Sequence, residues 1–253
     1  MVAVTSCIRD DGFGSQFQTI ICSALFAELH GHEFVYSRPR LAHLYSQEEV
    51  DEIEKIINFD GKFTTATGTE PRIDLGRSYS FVEENIDQVI ESQPMQKIRS
   101  FFRENKVNPF KPGTFNVAIH IRRPSIKPTI DVPLQNGSWG ATKNITNFDS
   151  DQTDRFTRNG HFLNTINSIR KLHPGSKFHI FSDGAPELFE CFKSDDTILH
   201  LSSSLTETYT AMVMADILVT SKSSFSYAAA LLREGQVYYT PFWHRPASKW
   251  VKI

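Results

Sequence analysis

The sequence predicts an α/β protein of two units, and three observations carry that reading. From residue 115 onward, short β-rich segments alternate with helical ones, the order that builds a parallel sheet covered by helices on both faces. Near the start of the chain, a strand, a glycine loop, an apolar-striped helix and a second strand follow one another, which is the beginning of a second such unit. Between the two, Asn108-Pro-Phe-Lys-Pro-Gly113 breaks every period and marks a boundary. The expected division is therefore residues 1–110 and 111–253. With 253 residues, 40% of them hydrophobic, each half has enough chain for its own core.

Taken in order, residues 2–8 read as a buried strand that runs into Arg9-Asp-Asp-Gly-Phe-Gly-Ser-Gln16. Behind this loop Phe17, Ile20, Ile21, Ala24, Leu25 and Leu29 recur at helical spacing up to Gly31, and 34–36 is a second strand. Gly12 and Gly14 either form a plain tight turn or let backbone approach a ligand at a helix start. Residues 46–59 form an amphipathic helix with an acidic, solvated face. Residues 62–76 are polar and irregular, with a short strand at 72–75, and helices are expected at 81–92 and 94–104, the second opened by Pro94.

Past the boundary, strands are expected at 115–121, 177–182, 197–201, 216–220 and 236–239, and helices near 160–172, 186–192, 205–215 and 224–233. The first strand ends in His120-Ile-Arg-Arg123. Guanidinium groups suit two-pronged recognition of phosphate oxygens, and parallel strands deliver their last residues to the rim where ligands bind, although an exposed arginine pair can also serve only surface ion pairs. Ser182-Asp-Gly184 and Thr220-Ser-Lys-Ser-Ser-Phe-Ser226 fall on the same rim. One serine there is explained by helix capping; four beside Lys222 point to phosphate or sugar contacts. Residues 124–158 form a long connection of little periodicity, read as an acceptor-binding lid. Ala228-Ala-Ala is read as tight helix packing, and Trp243 and Trp250 as core or anchoring residues.

Composition excludes several classes. A net charge of −2 offers no general attraction for nucleic acid or an acidic membrane. Cys7, Cys22 and Cys191 are odd in number and widely spaced, which fits neither a disulfide framework nor a structural zinc site. The glycosylation tripeptides at Asn136 and Asn144 carry little weight. The chain opens with no charged leader and has no run of roughly eighteen apolar residues. A cytoplasmic protein is expected, soluble or peripheral to membranes, with no transmembrane segment.

Gly12-Phe-Gly-Ser-Gln-Phe17, His120-Ile-Arg-Arg123, Phe181-Ser-Asp183 and Val219-Thr-Ser-Lys-Ser-Ser-Phe-Ser226 together resemble, in order and approximate spacing, the GDP-fucose-dependent fucosyltransferase superfamily of α1,2-, α1,6- and nodulation-type enzymes. The resemblance implies a GT-B-like fold, two Rossmann-like domains facing a cleft, with the nucleotide sugar held mainly by the C-terminal one. It implies an inverting, metal-independent transfer of a sugar, fucose favoured, to a glycan or glycoprotein acceptor, with no permanently bound cofactor. Carried over, Arg122 and Arg123 clamp the diphosphate and stabilise the departing nucleotide, and His120 orients the strand end or contacts the nucleotide. Asp183 reaches ribose or base; Ser221, Ser223 and Ser224 reach the phosphates; Ser182 and Phe225 belong to the donor-binding set; Gly12, Phe13 and Gly14 face donor or acceptor. The chain departs from the pattern at Pro124-Ser125, where many relatives carry a carboxylate. Asp11 is then the first candidate for general base, ahead of Asp10, Asp74, Asp131 and Asp149. GDP-mannose or a UDP-sugar such as UDP-xylose remains a candidate donor. A metal-dependent transferase using Asp149-Ser-Asp151 and a non-catalytic nucleotide- or carbohydrate-binding module remain as other readings.

Overall fold

The computed structural model describes residues 2–7, 11–39, 46–123, 156–201 and 203–253. It divides into two compact units: Met1–Val107 with Ser224–Glu234 and Trp243–Val251, and Asn108–Ser223 with Gly235–Phe242 and Lys252–Ile253. The chain leaves the first unit close to the Pro/Gly break, three residues before the expected division. It then returns twice, which a single boundary does not anticipate.

The first unit begins with β1 (Ala3–Thr5), α1 (Phe13–Leu29), β2 (Glu33–Tyr36), α2 (Gln47–Ile57) and β3 (Thr64–Thr65), and its three strands form a parallel sheet in the order β1-β2-β3. The strand expected at 72–75 is a single parallel bridge, Thr5 to Arg72; the third strand lies at the threonine pair, whose two exposed residues carry no apolar alternation to reveal it. Ser46 closes a capping box with Glu49 at the start of α2, and Asn58 ends that helix in the left-handed region at φ 55°. α3 (Leu75–Glu84), α4 (Ile86–Val89) and α5 (Gln93–Arg103) follow. α1 is buried almost all round, from Phe13 to Ala27, so it is the unit's central helix.

Physical ties explain why the later segments belong to this unit. The buried Arg99 of α5 donates from Nε and Nη2 to the carbonyl of Leu231, at the last turn of α8 (Ser224–Leu232). A guanidinium there satisfies an orphan carbonyl and meets the negative end of the helix dipole. Residues 243–251 are pinned by an acidic row: Glu83 takes His244 Nδ1 at 2.6 Å and the Arg245 amide, Asp87 takes the Ser248 amide, and Glu91 pairs with Lys249. Trp250 is buried edge-on against Tyr227, whereas Trp243 is 58% exposed.

The second unit contains β4 (Asn116–His120), α6 (Asn159–Leu172), β5 (Lys177–Ser182), a 3₁₀ helix (Pro186–Phe192), β6 (Thr197–Leu201), α7 (Leu205–Met214), β7 (Ile217–Val219), β8 (Gln236–Tyr239) and β9 (Val251–Lys252) at the sheet edge. Strand order is β6-β5-β4-β7-β8-β9, and every pair from β6 to β8 is parallel. The sequence-read strands and helices of this half coincide with these within two residues, except that 186–192 is a 3₁₀ rather than an α-helix. Val117, Ile119, Phe178, Ile180, Ile217 and Val219 cover one face and pack with Phe162, Ile166 and Ile169 of α6 and Phe189 and Phe192 of the 3₁₀ helix. Right-handed crossovers place α7 on the other face, because the chain reverses direction along the sheet after β6.

That other face carries a polar chain. The Asn116 amide gives its NH₂ to the Thr114 carbonyl at 2.7 Å, so its oxygen accepts from His179 Nε2 at 3.1 Å, and His179 Nδ1 accepts from His200 Nε2 at 3.0 Å. The arrangement needs a neutral His179, which both donates and accepts. Burial, then the neighbouring His200, holds His179 down to about 4, and burial also lowers His200. A folded pKa below the ordinary value of a histidine stabilises the fold fully above about 6.5 and loses that contribution as pH falls toward the folded value. Urea unfolding is expected to give constant stability above about pH 6.5 and a decline between pH 6.5 and 4.5, a slope that shrinks in His179→Gln. A flat profile in that window for the parent chain contradicts the neutral His179.

Candidate functional site

The site forms where the strand sequence reverses. Chain order runs outward from β4 through β5 to β6 on one side and through β7 to β8 on the other, so the gap between β4 and β7 is the topological switch point of this sheet. Ligands of open α/β sheets bind outside the carboxyl ends of strands at such a point. At the end of β4, the Ile121 amide still donates to Phe181 on the β5 side, at 3.0 Å. One residue later the partner changes: the Arg122 amide donates to Ser221 Oγ at 3.0 Å, in the turn after β7. The Arg122 guanidinium donates from Nη1 to Ser223 Oγ at 3.2 Å. Backbone and side chain of one arginine therefore bind two hydroxyls of the facing loop, both buried, while Arg122 itself is half-buried. The loop is held in turn, because the Ser223 amide donates to the Ser221 carbonyl and, behind it, Thr240 donates from its amide to Thr220 Oγ1 and from its hydroxyl to the Thr220 carbonyl.

Arg123 points elsewhere. Only 5% exposed, it donates from Nη1 to the Arg122 carbonyl at 2.8 Å and from Nη2 to Asn159 Oδ1 at 2.5 Å. Asn159, at the start of α6, passes the link on by donating to the Leu188 carbonyl. Gly184 closes the other side: a Cβ there would lie 2.6 Å from Arg123 Cβ, so only glycine lets the turn after β5 seat against the arginine stem. The two adjacent arginines thus differ in setting. Arg122 stands at the rim, and Arg123 is buried beneath it with its guanidinium fixed.

The other sequence-read residues fall as follows. His120 is buried, and burial followed by the charges of Arg122 and Arg123 holds it down to about 3, so it is a neutral group at the strand end. Ser182 is buried and its Oγ accepts from the Gly184 amide at 3.2 Å; Asp183 is exposed. Gly12, Phe13, Gly14, Ser224 and Phe225 belong to the first unit. Phe13 and Gly14 lie inside α1, not in a loop, and a Cβ on Gly14 would meet the Phe225 backbone at 2.4 Å. Gly14 thus lets α1 and the start of α8 pack closely, with Phe13 edge-on to Phe225. Gly12 is the N-cap position of α1; its amide donates to Asp11 Oδ1 at 2.8 Å, and the Asp11 carbonyl accepts from Gln16. Ser224 Oγ lies 3.4 Å from His244 Nε2. Asp74 caps α3 through the Arg77 amide. Asp10, Asp131, Asp149, Asp151, both glycosylation tripeptides and the lid segment up to residue 155 lie outside the described residues.

Asn159 and Gly184 are the residues the sequence reading missed as parts of the site. Gly184 had a visible signal, directly behind Ser182-Asp183 at a strand end; Asn159 had none, since its role depends on where Arg123 turns. Among the described residues, no group of three or more His, Cys, Asp or Glu is arranged to hold a metal ion, and no helix is long and apolar enough to cross a membrane.

No family model and no curated protein matches the sequence. Solved structures do. The fucosyltransferase NodZ from Bradyrhizobium aligns over 92% of this chain and 93% of its own, at 11% identity and a TM-score of 0.44. NodZ alpha-1,6-fucosyltransferase co-crystallised with GDP gives 11% and 0.42 over 92% of both chains, and POFUT1 in complex with GDP-fucose gives 12% and 0.35 over 95% of this chain and 73% of its own. The likeness is to fucosyltransferases. At these values it carries no argument about this chain's activity, which must come from the site.

The Arg123 seat can be tested through its glycine. Gly184→Ala is expected to lower unfolding free energy by about 1–3 kcal/mol through overpacking, measured by urea denaturation. Gly160→Ala, where a Cβ meets nothing within 4 Å, is the control and should not destabilise. Equal stability of the two variants contradicts the close seat.

Proposed function

We propose that this protein is a glycosyltransferase that moves a sugar, fucose favoured, from a nucleoside-diphosphate donor to a hydroxyl of a glycan or glycoprotein. The observation that supports this most is the Arg122–Ser221–Ser223 cluster at the switch point between β4 and β7. The ordered resemblance of four motifs to GDP-fucose-dependent fucosyltransferases agrees with it.

In this reading the diphosphate takes up the Arg122 guanidinium and the serine hydroxyls, and Asp183, exposed at the neighbouring strand end, meets ribose or base. Arg123 adds a second positive charge from beneath, where the surroundings are poorly screened. As the bond from the anomeric carbon to the phosphate oxygen breaks, negative charge grows on the diphosphate, and the two arginines stabilise it without metal. His120, being neutral, orients the strand end and does not neutralise phosphate. The acceptor oxygen attacks the anomeric carbon from the face opposite the leaving group, which inverts it, and Asp11 is the carboxylate assigned to take the acceptor proton. Other nucleotide sugars, including GDP-mannose and UDP-xylose, use the same phosphate chemistry, so the donor is a question for a panel.

Transfer from GDP- and UDP-sugars to a panel of glycan acceptors tests the proposal. Turnover should persist in excess EDTA, fall at least about a hundredfold in Arg122→Ala, and be lost in Asp11→Asn while donor binding remains. Near-parental turnover in Arg122→Ala contradicts the clamp. Nucleotide binding without turnover on any acceptor identifies a binding module instead.

A further inference from the structure

The second unit holds a cavity of about 500 Å³ that none of the four motifs uses apart from Lys222. That volume is in the range of small-ligand sites, about 300–1,000 Å³. Its wall is formed by Thr157, Arg158, Gly160 and His161 at the start of α6, by Lys222 in the turn after β7, and by Thr240 past the end of β8, with Pro241 and Ile253 completing it. None of these side chains is a carboxylate, and three are cationic or can become so.

The cavity's polar groups are arranged for an anion. Thr157 is 5% exposed, and its Oγ1 has no hydrogen-bond partner among the described residues, although it belongs to the lining. Buried hydroxyls are almost always bonded. Thr157 offers such a donor to a guest. α6 runs for 14 residues, and its N-cap residue Arg158 makes no side-chain cap bond, nor is there an acidic residue in the first turn, so the positive helix end is not neutralised within the helix. Thr240 donates its only proton to the Thr220 carbonyl at 2.6 Å, so in the 3.3 Å contact with His161 it accepts from Nε2 and fixes the imidazole edge. Burial first, then the charge of Lys222, lowers the His161 pKa. Arg158 and Lys222 thus bring two cationic side chains to the cavity wall beside His161.

We propose that this cavity is an anion-binding site for a carboxylate, with Thr157, Arg158, His161 and the first amides of α6 as its donors; that an acidic sugar carries this carboxylate rests on the transferase reading. So does assigning that sugar to the acceptor; the binding site itself does not. A carboxylate here would favour the imidazolium, so occupancy raises the His161 pKa against burial and the opposing charge of Lys222.

The test uses the full chain and histidine-selective NMR, with the His161 signal assigned through His161→Gln. Glucuronate should shift that signal saturably and raise its titration midpoint, and glucose at equal concentration should not. Thr157→Val, which keeps the shape and removes the hydroxyl, should weaken glucuronate about tenfold, the scale of one hydrogen bond to a charged group, and Arg158→Ala should weaken it as well. Unchanged affinity in both variants, or an equal response to glucose, overturns the proposal. A response to inorganic sulfate with none to glucuronate overturns the assignment to a carboxylate. GDP binding, followed by calorimetry on the same samples, reports separately on the transferase reading: its absence with glucuronate binding intact fails that reading and leaves the cavity standing.

Discussion

The double engagement of Arg122, by amide and by guanidinium, is the constraint on which the rim of the second unit depends. Strand β4 bonds to β5 through Ile121 and then, at Arg122, to the serine turn after β7. This change of partner occurs where the sheet's chain order reverses, so the arginine ties the two halves of the sheet together there. Sheet topology supplies the place; the arginine and two serine hydroxyls supply its chemistry.

The arrangement beneath is asymmetric for a physical reason. Two neighbouring guanidinium groups repel, and the molecule separates them by burying one. Arg123 is held by a main-chain carbonyl, by Asn159 and by the space that Gly184 leaves, which sets its position without using a hydroxyl of the serine turn. His120, two residues before Arg122, stays uncharged first because it is buried and then because of the two arginine charges. The rim therefore carries fixed positive charge whose geometry does not change with pH near neutrality.

The second unit was legible in the sequence because buried parallel strands are continuous apolar runs and their helices carry clear stripes. Residues 177–182 and 197–201 are read from β-formers alone, and the arginine and serine turns follow from where those runs stop. The first unit was less legible. Thr64–Thr65 has no pattern that marks a strand, and its place depends on β2. Gly12-Phe-Gly14 was read as a loop, a plain turn or a ligand approach, but Phe13 and Gly14 are helix residues and Gly14 meets Phe225, more than two hundred positions later. The return of residues 224–234 and 243–251 to the first unit was likewise hidden, since it rests on the Arg99 bonds to Leu231 and on the row Glu83, Asp87 and Glu91. Tertiary partners of this kind leave no local trace in sequence.

Equilibrium binding of guanosine, GMP and GDP to the intact chain tests the phosphate clamp most directly. If Arg122 and the serine turn receive a diphosphate, affinity rises along that series and GDP binds at least about a hundredfold more tightly than guanosine, a gain of roughly 3 kcal/mol. Equal affinity for guanosine and GDP contradicts the account.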